Sequence, residues 1–115
     1  MSEFKKYLQG EQSLVTKFRD GEFDRKMFHA LTRDVVRIHS SQISRLERLG
    51  HAVVLWEIGF HFQNQINYFG LSTKSEFCNI TLDEIRQLSE IFFYMCNWFT
   101  YNKEIDHEYL RFGKW

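Results

Sequence analysis

The chain has 115 residues, formal net charge zero, and a hydrophobic share of 43% against 26% charged residues, which describes one globular domain and excludes a disordered chain. Zero net charge removes any general electrostatic drive toward nucleic acid. Two cysteines, Cys78 and Cys96, with no CxxC pattern argue against a disulfide framework and point to a reducing cytoplasm.

The opening residues MSEFKKYLQGEQ hold no apolar core and do not read as a signal peptide. The longest uninterrupted apolar run, Ile91 to Cys96, is far too short to cross a bilayer. The complete absence of proline fits a chain that is mostly helix, because proline breaks helix interiors. The expected fold class is all-α: residues 1–115 as a single domain, an antiparallel bundle of four main helices plus a short C-terminal helix.

A first helical segment is expected from Glu3 to Arg19, with Phe4, Tyr7, Leu8, Leu14, Val15 and Phe18 at helical spacing and Gly10 as a possible split. Asp20-Gly21 makes a turn. A second, strongly amphipathic helix starts near Phe23, with Met27, Phe28, Leu31, Val35, Ile38, Leu46 and Leu49 in one stripe that Gln42 interrupts. Gly50 is expected to separate or kink this helix from a third, Ala52 to Phe69, which Gly70-Leu71-Ser72 closes.

The third helix has two apolar sides. With Val53 at zero, Leu55, Ile58, Phe62, Ile66 and Phe69 fall at about 140° to 220°, while Val53, Trp56 and Phe60 fall at about 300° to 0°. A surface helix needs one apolar stripe, so this one is either central or lies between the core and a partner. Thr73 to Glu76 allows a short capped turn, and Thr81-Leu-Asp-Glu84 is a capping box opening a fourth helix over about 82–102. There Ile85, Leu88, Ile91, Phe92, Met95, Trp98 and Phe99 form one arc, and Phe93 lies outside it. A last short helix is expected at about 104–112. Connections are short, so neighbours run antiparallel.

Two further properties concern association. Aromatic residues make up 17% of the chain, with 12 Phe. A small domain has too much surface to bury every large ring, so either the core uses Phe where others use Leu or some rings form an interface. The charge is also split: residues 24–48 carry six basic and three acidic side chains, and residues 51–115 carry five basic and eight acidic. The candidate interface residues are Trp56, Phe60, Phe93, Tyr94, Tyr101 and Trp115. The leading expectation is a non-enzymatic protein–protein interaction module of the small regulator, inhibitor, immunity or phage-antagonist type. It would self-associate as a homodimer and bind a protein partner, with no membrane contact and no cofactor.

Three chemical alternatives stand beside it. Glu47 and His51, and Glu57 and His61, are four apart and share helix faces, so His51, Glu57 and His61 could hold a metal or haem in a bundle. His61-Phe-Gln-Asn-Gln65 resembles the HFxxE segment of hemerythrin-like bundles, and Trp98-Phe-Thr-Tyr-Asn102 with Asp106-His-Glu-Tyr109 and Phe112 loosely resembles their last helix. The resemblance implies a four-helix shape. Gln65 and Asn102 stand where ligands would be, so it does not imply a working di-iron site.

Arg33-Asp-Val-Val-Arg-Ile-His39 resembles the Arg-x(4–6)-His signature of HEPN ribonucleases, in which the arginine would stabilise phosphorane charge and the histidine would move protons. On a regular helix Arg33 and His39 are about 240° apart. Finally, Lys26, Arg33, Arg37 and Arg48 form a basic stripe opposite the apolar one, with Ser40 and Ser44 between them. It suits an acidic protein surface or, as a less favoured partner, nucleic acid.

Overall fold

The computed structural model describes residues 2–69 and 80–111, side chains excepted at 66–69. These residues are mostly helical and contain no strand. The expected first helix is two: α1, Lys5–Leu8, and α2, Leu14–Arg19. Gly10 splits them with a φ of +105°, a backbone state that costs a side-chain-bearing residue dearly. Ser13 caps α2 by accepting from Thr16 N at 3.2 Å, and Asp24 caps α3, Arg25–Ser40, by accepting from Met27 N at 3.0 Å.

The second helix does not run to Gly50. It ends at Ser40, and α4, Arg45–Phe69, passes through Gly50 without a break. The serines decide this. Ser41 Oγ donates to Ile38 O, a carbonyl at the end of α3, while Ser40 Oγ bonds back to Val36 O four residues earlier. Ser44 Oγ accepts from Glu47 N at 3.1 Å, and the Glu47 carboxylate accepts from Ser44 N at 3.5 Å, the reciprocal pattern of a capping box. The four-residue break resets the helical register. Leu46 and Leu49 therefore leave the stripe of Phe28, Leu31, Val35 and Ile38: Leu46 is exposed and Leu49 half-buried.

The capping box opening α5, Leu82–Thr100, forms as expected: Thr81 Oγ1 accepts from Glu84 N at 3.2 Å and Glu84 Oε1 from Thr81 N at 3.1 Å. α4 and α5 are the most intimate helix pair and run antiparallel, since His51 meets Phe99, Phe62 meets Phe92 and Gln63 meets Ser89. Gly59 allows this approach, because a Cβ there would lie 2.8 Å from Phe92 Cβ. α3 packs parallel to α5, through Arg25–Glu84, Phe28–Phe92 and His39–Phe99.

Most of the phenylalanine excess is core. Phe4, Phe18, Phe23, Phe28, Phe62, Phe92 and Phe99 are all fully buried, with edge-to-face and offset neighbours such as Phe4–Phe99 at 5.8 Å and Phe18–Phe62 at 4.4 Å. The N-terminal segment is stitched over α3 and α4. Tyr7 Oη donates to Asp34 Oδ2 at 2.7 Å, Lys6 and Arg37 reach the same carboxylate at 3.0 and 3.1 Å, Arg37 also pairs with Glu3, and Ser2 Oγ lies 2.6 Å from His51 Nδ1.

The expected last helix is not formed over its described residues. α5 stops where Asn102 takes a left-handed φ of 51° and Lys103 N donates to Trp98 O at 3.0 Å, a Schellman-type stop. Residues 107–110 make turns, with Tyr109 stacked on Tyr94 at 4.1 Å. The Gly70–Ser72 stop, the Thr73–Glu76 cap, Cys78 and Trp115 lie outside the described residues.

A candidate interaction surface on helices four and five

The two apolar sides of the third predicted helix both exist on α4. Leu55, Ile58 and Phe62 are completely buried. On the other side, Leu46, Leu49, Val53, Trp56, Phe60 and Gln63 follow one another at alternating steps of three and four, the spacing of a coiled-coil seam. Among the described residues nothing covers this side. Exposure is 81% at Leu46, 56% at Val53, 52% at Trp56 and 47% at Phe60, and Phe93 on α5 adds a ring at 59%. The Trp56 and Phe60 rings stack on each other, centroids 5.3 Å apart and planes 14° apart, so they are held in place before anything binds.

Two apolar depressions flank the seam. One, about 200 Å³, lies at Trp56, Gly59, Phe60, Phe92 and Phe93, with Gln63 and Ser89 joined by a 2.7 Å hydrogen bond at its edge. The other, about 410 Å³, is walled by Leu49, Ala52, Val53, Trp56, Cys96 and Thr100. Burial pushes the Cys96 thiol up, against a weaker hydrogen bond with Thr100, so it is a wall and not an activated nucleophile. Tyr94 borders the patch at 6.1 Å from Phe93 but spends its face on Tyr109. Tyr101 is exposed at the end of α5, with Lys103 Nζ 5.7 Å from its ring centre. The predicted interface set thus divides into a joined trio, Trp56, Phe60 and Phe93, and residues beside or apart from it. Leu46 and Leu49, which periodicity alone places in the stripe of the second predicted helix, belong to the seam; the Ser44-x-x-Glu47 signature is the signal that moves them.

No family model, curated protein or solved structure matches this chain.

The residues of the chemical alternatives are not gathered into a site. Among the described residues, no three His, Cys, Asp or Glu side chains group as metal ligands. His51 is buried between Phe4 and Phe99, Glu57 is exposed, and His61 is half-buried against Phe60. Arg33 is exposed in a groove with Val36, Arg37, His107 and Leu110. His39 instead turns inward, with Nε2 3.3 Å from Trp98 O; a carbonyl only accepts, so that nitrogen carries the proton. The basic stripe is divided as well. Lys26, Arg33 and Arg37 lie on α3, where Arg37 is neutralised by Glu3 and Asp34, and Arg48 lies on α4 beyond the serine break. No helix is long and apolar enough to cross a membrane among the described residues.

The buried polar groups make the fold acid-sensitive. Burial holds the His51 imidazole below its ordinary pKa, against the raising fields of Glu3 and Glu47. Burial would raise the Asp34 carboxyl, but hydrogen bonds from Tyr7, Lys6 and Arg37 together hold it below its ordinary value. Both folded pKa values lie under the unfolded ones, so the unfolded chain binds protons first. Each contribution is complete above the unfolded pKa and is lost as pH falls toward the folded one. The unfolding midpoint in urea is therefore expected to drop below about pH 6.5 through His51 together with the likewise lowered His61, and again below about pH 4 through Asp34 together with Asp24 and Glu3. His51→Gln is expected to shrink the first decline to the part that His61, also held low by burial, contributes, and to leave the second; a variant with an unchanged profile refutes the assignment.

Proposed function

We propose that this chain is a non-enzymatic helical protein–protein interaction module, of the small regulator, inhibitor, immunity or phage-antagonist type, acting in the cytoplasm through the outer face of α4 and α5. The stacked, half-exposed Trp56–Phe60 pair beside Phe93 carries the reading. A fold that hides seven phenylalanines completely has no packing need to leave these three rings in water, and contiguous exposed apolar surface marks interaction sites. The scaffold is read as an antiparallel bundle in which the α1–α2 pair takes the place of a fourth long helix. The reading invokes no cofactor, membrane or nucleic acid.

The test is site-specific photo-cross-linking in the cells that make the protein. A photoreactive phenylalanine analogue at Phe60 is expected to give covalent protein adducts, and the same analogue at the exposed Lys26 none. Silence at Phe60 in a folded, expressed protein overturns the proposal.

A further inference from the structure

We propose that the α4 seam is covered by a second copy of this chain, with the two α4 helices antiparallel about a two-fold axis between Val53 and Trp56. This rests on the interaction-surface reading above and names its partner. The seam steps of three, four, three, four and three residues read the same in both directions. Turned end for end, the seam therefore falls on itself, which an isologous two-fold contact requires. In that register Leu46 faces Gln63 of the other copy, Leu49 faces Phe60, and Val53 faces Trp56.

Size decides the direction. The N-terminal half of the seam is aliphatic and the C-terminal half carries the rings. Antiparallel pairing sets each ring against a smaller side chain and over the depression of about 410 Å³ beside Leu49 and Val53. Parallel pairing would crowd ring on ring and leave aliphatic on aliphatic, a poor fit for a close-packed interface. Charge agrees, because no seam position carries one and self-pairing brings no like charges together along it. With rings able to bury ~150–250 Å² each, the exposed parts of the seam and Phe93 offer roughly 500 Å² per copy, and two copies reach the ~1,000 Å² that a specific interface needs.

The test uses the full chain with Cys78→Ser and Cys96→Ser, carrying either Leu46→Cys or Gln63→Cys. A short thiol-to-thiol cross-linker is expected to join the two variants when mixed and neither when alone, because each residue lies ~25 Å along the helix from its own copy. Trp56→Ser is expected to raise the dimer dissociation constant ~30-fold in sedimentation with unchanged helicity. Self-linking of either variant alone overturns the antiparallel register. A wild-type chain monomeric at every concentration overturns the second copy. In that case adducts from Phe60 to another protein leave the face as an interaction surface, and silence there removes both proposals.

Discussion

Phe62→Ala is expected to lose ~3–5 kcal/mol of folding stability, the usual cost of emptying a buried phenylalanine site. Phe62 is where the layers meet. Its ring stacks on Phe92 at 5.5 Å and 11°, tilts against Phe18 at 4.4 Å, and meets the edge of Phe23 at 6.1 Å. Truncation removes three ring contacts across α2, α4, α5 and the turn before α3. The neighbours cannot collapse into the gap, because each is itself fully buried and fixed from other sides. Domains of this size have only ~5–15 kcal/mol in total, so the thermal midpoint is expected to fall by on the order of 20 °C. A fall of only a few degrees in calorimetry would show that this ring is not the junction described. The exposed Phe60, one turn-fraction away on the same helix, is the control: Phe60→Ala is expected to leave the monomer's stability within ~0.5 kcal/mol.

The second large effect is at Gly59, and its sign is opposite to that at Gly50. A methyl group at 59 would sit 2.8 Å from Phe92 Cβ. That atom is anchored to the α5 backbone, so the helices themselves must part. Gly59→Ala is expected to cost ~1–3 kcal/mol, the usual range for overpacking. Gly50 is exposed and helical, with nothing within 4 Å of its would-be Cβ. Gly50→Ala is therefore expected to gain ~0.5–1 kcal/mol from helix propensity alone. Urea unfolding of the two variants side by side checks both. Equal signs would contradict either the close approach of α4 to α5 or the continuity of α4.

Much of this was legible in the residues. The Thr81–Glu84 box, the α5 arc and the two-sidedness of α4 follow from spacing alone, and the Phe28–Ile38 stripe is buried as periodicity demands. The break before α4 was misplaced because a glycine is a conspicuous stop signal and a serine is not. A lone helical glycine is tolerated at ~1 kcal/mol, whereas serine hydroxyls that satisfy both helix ends make stopping favourable. In Glu3–Arg19, Gly10 marks one place where the helix can split, and the split falls there. The loss of the last helix carries no such mark, because Asn102 in a left-handed state is less predictable than glycine would be. As for the surface, Trp56, Phe60 and Phe93 stood out by angle, but the membership of Leu46 and Leu49 depended on the register that the serine break resets. The partition of the basic residues depended on tertiary ion pairs that no spacing rule contains.

The contact between Phe4 and Phe99 has a kinetic consequence. One ring lies just before α1 and the other near the end of α5, so the interior closes only once α5 has been made. During synthesis α3 and α4 emerge with their buried faces open, and the cluster of Phe4, His51 and Phe99 stays incomplete until α5 follows. Assembly is then a late, single closure between distant parts of the chain, a slow kind of topology for a helical protein, and the interval before it is when the unfinished chain is most exposed to association with others.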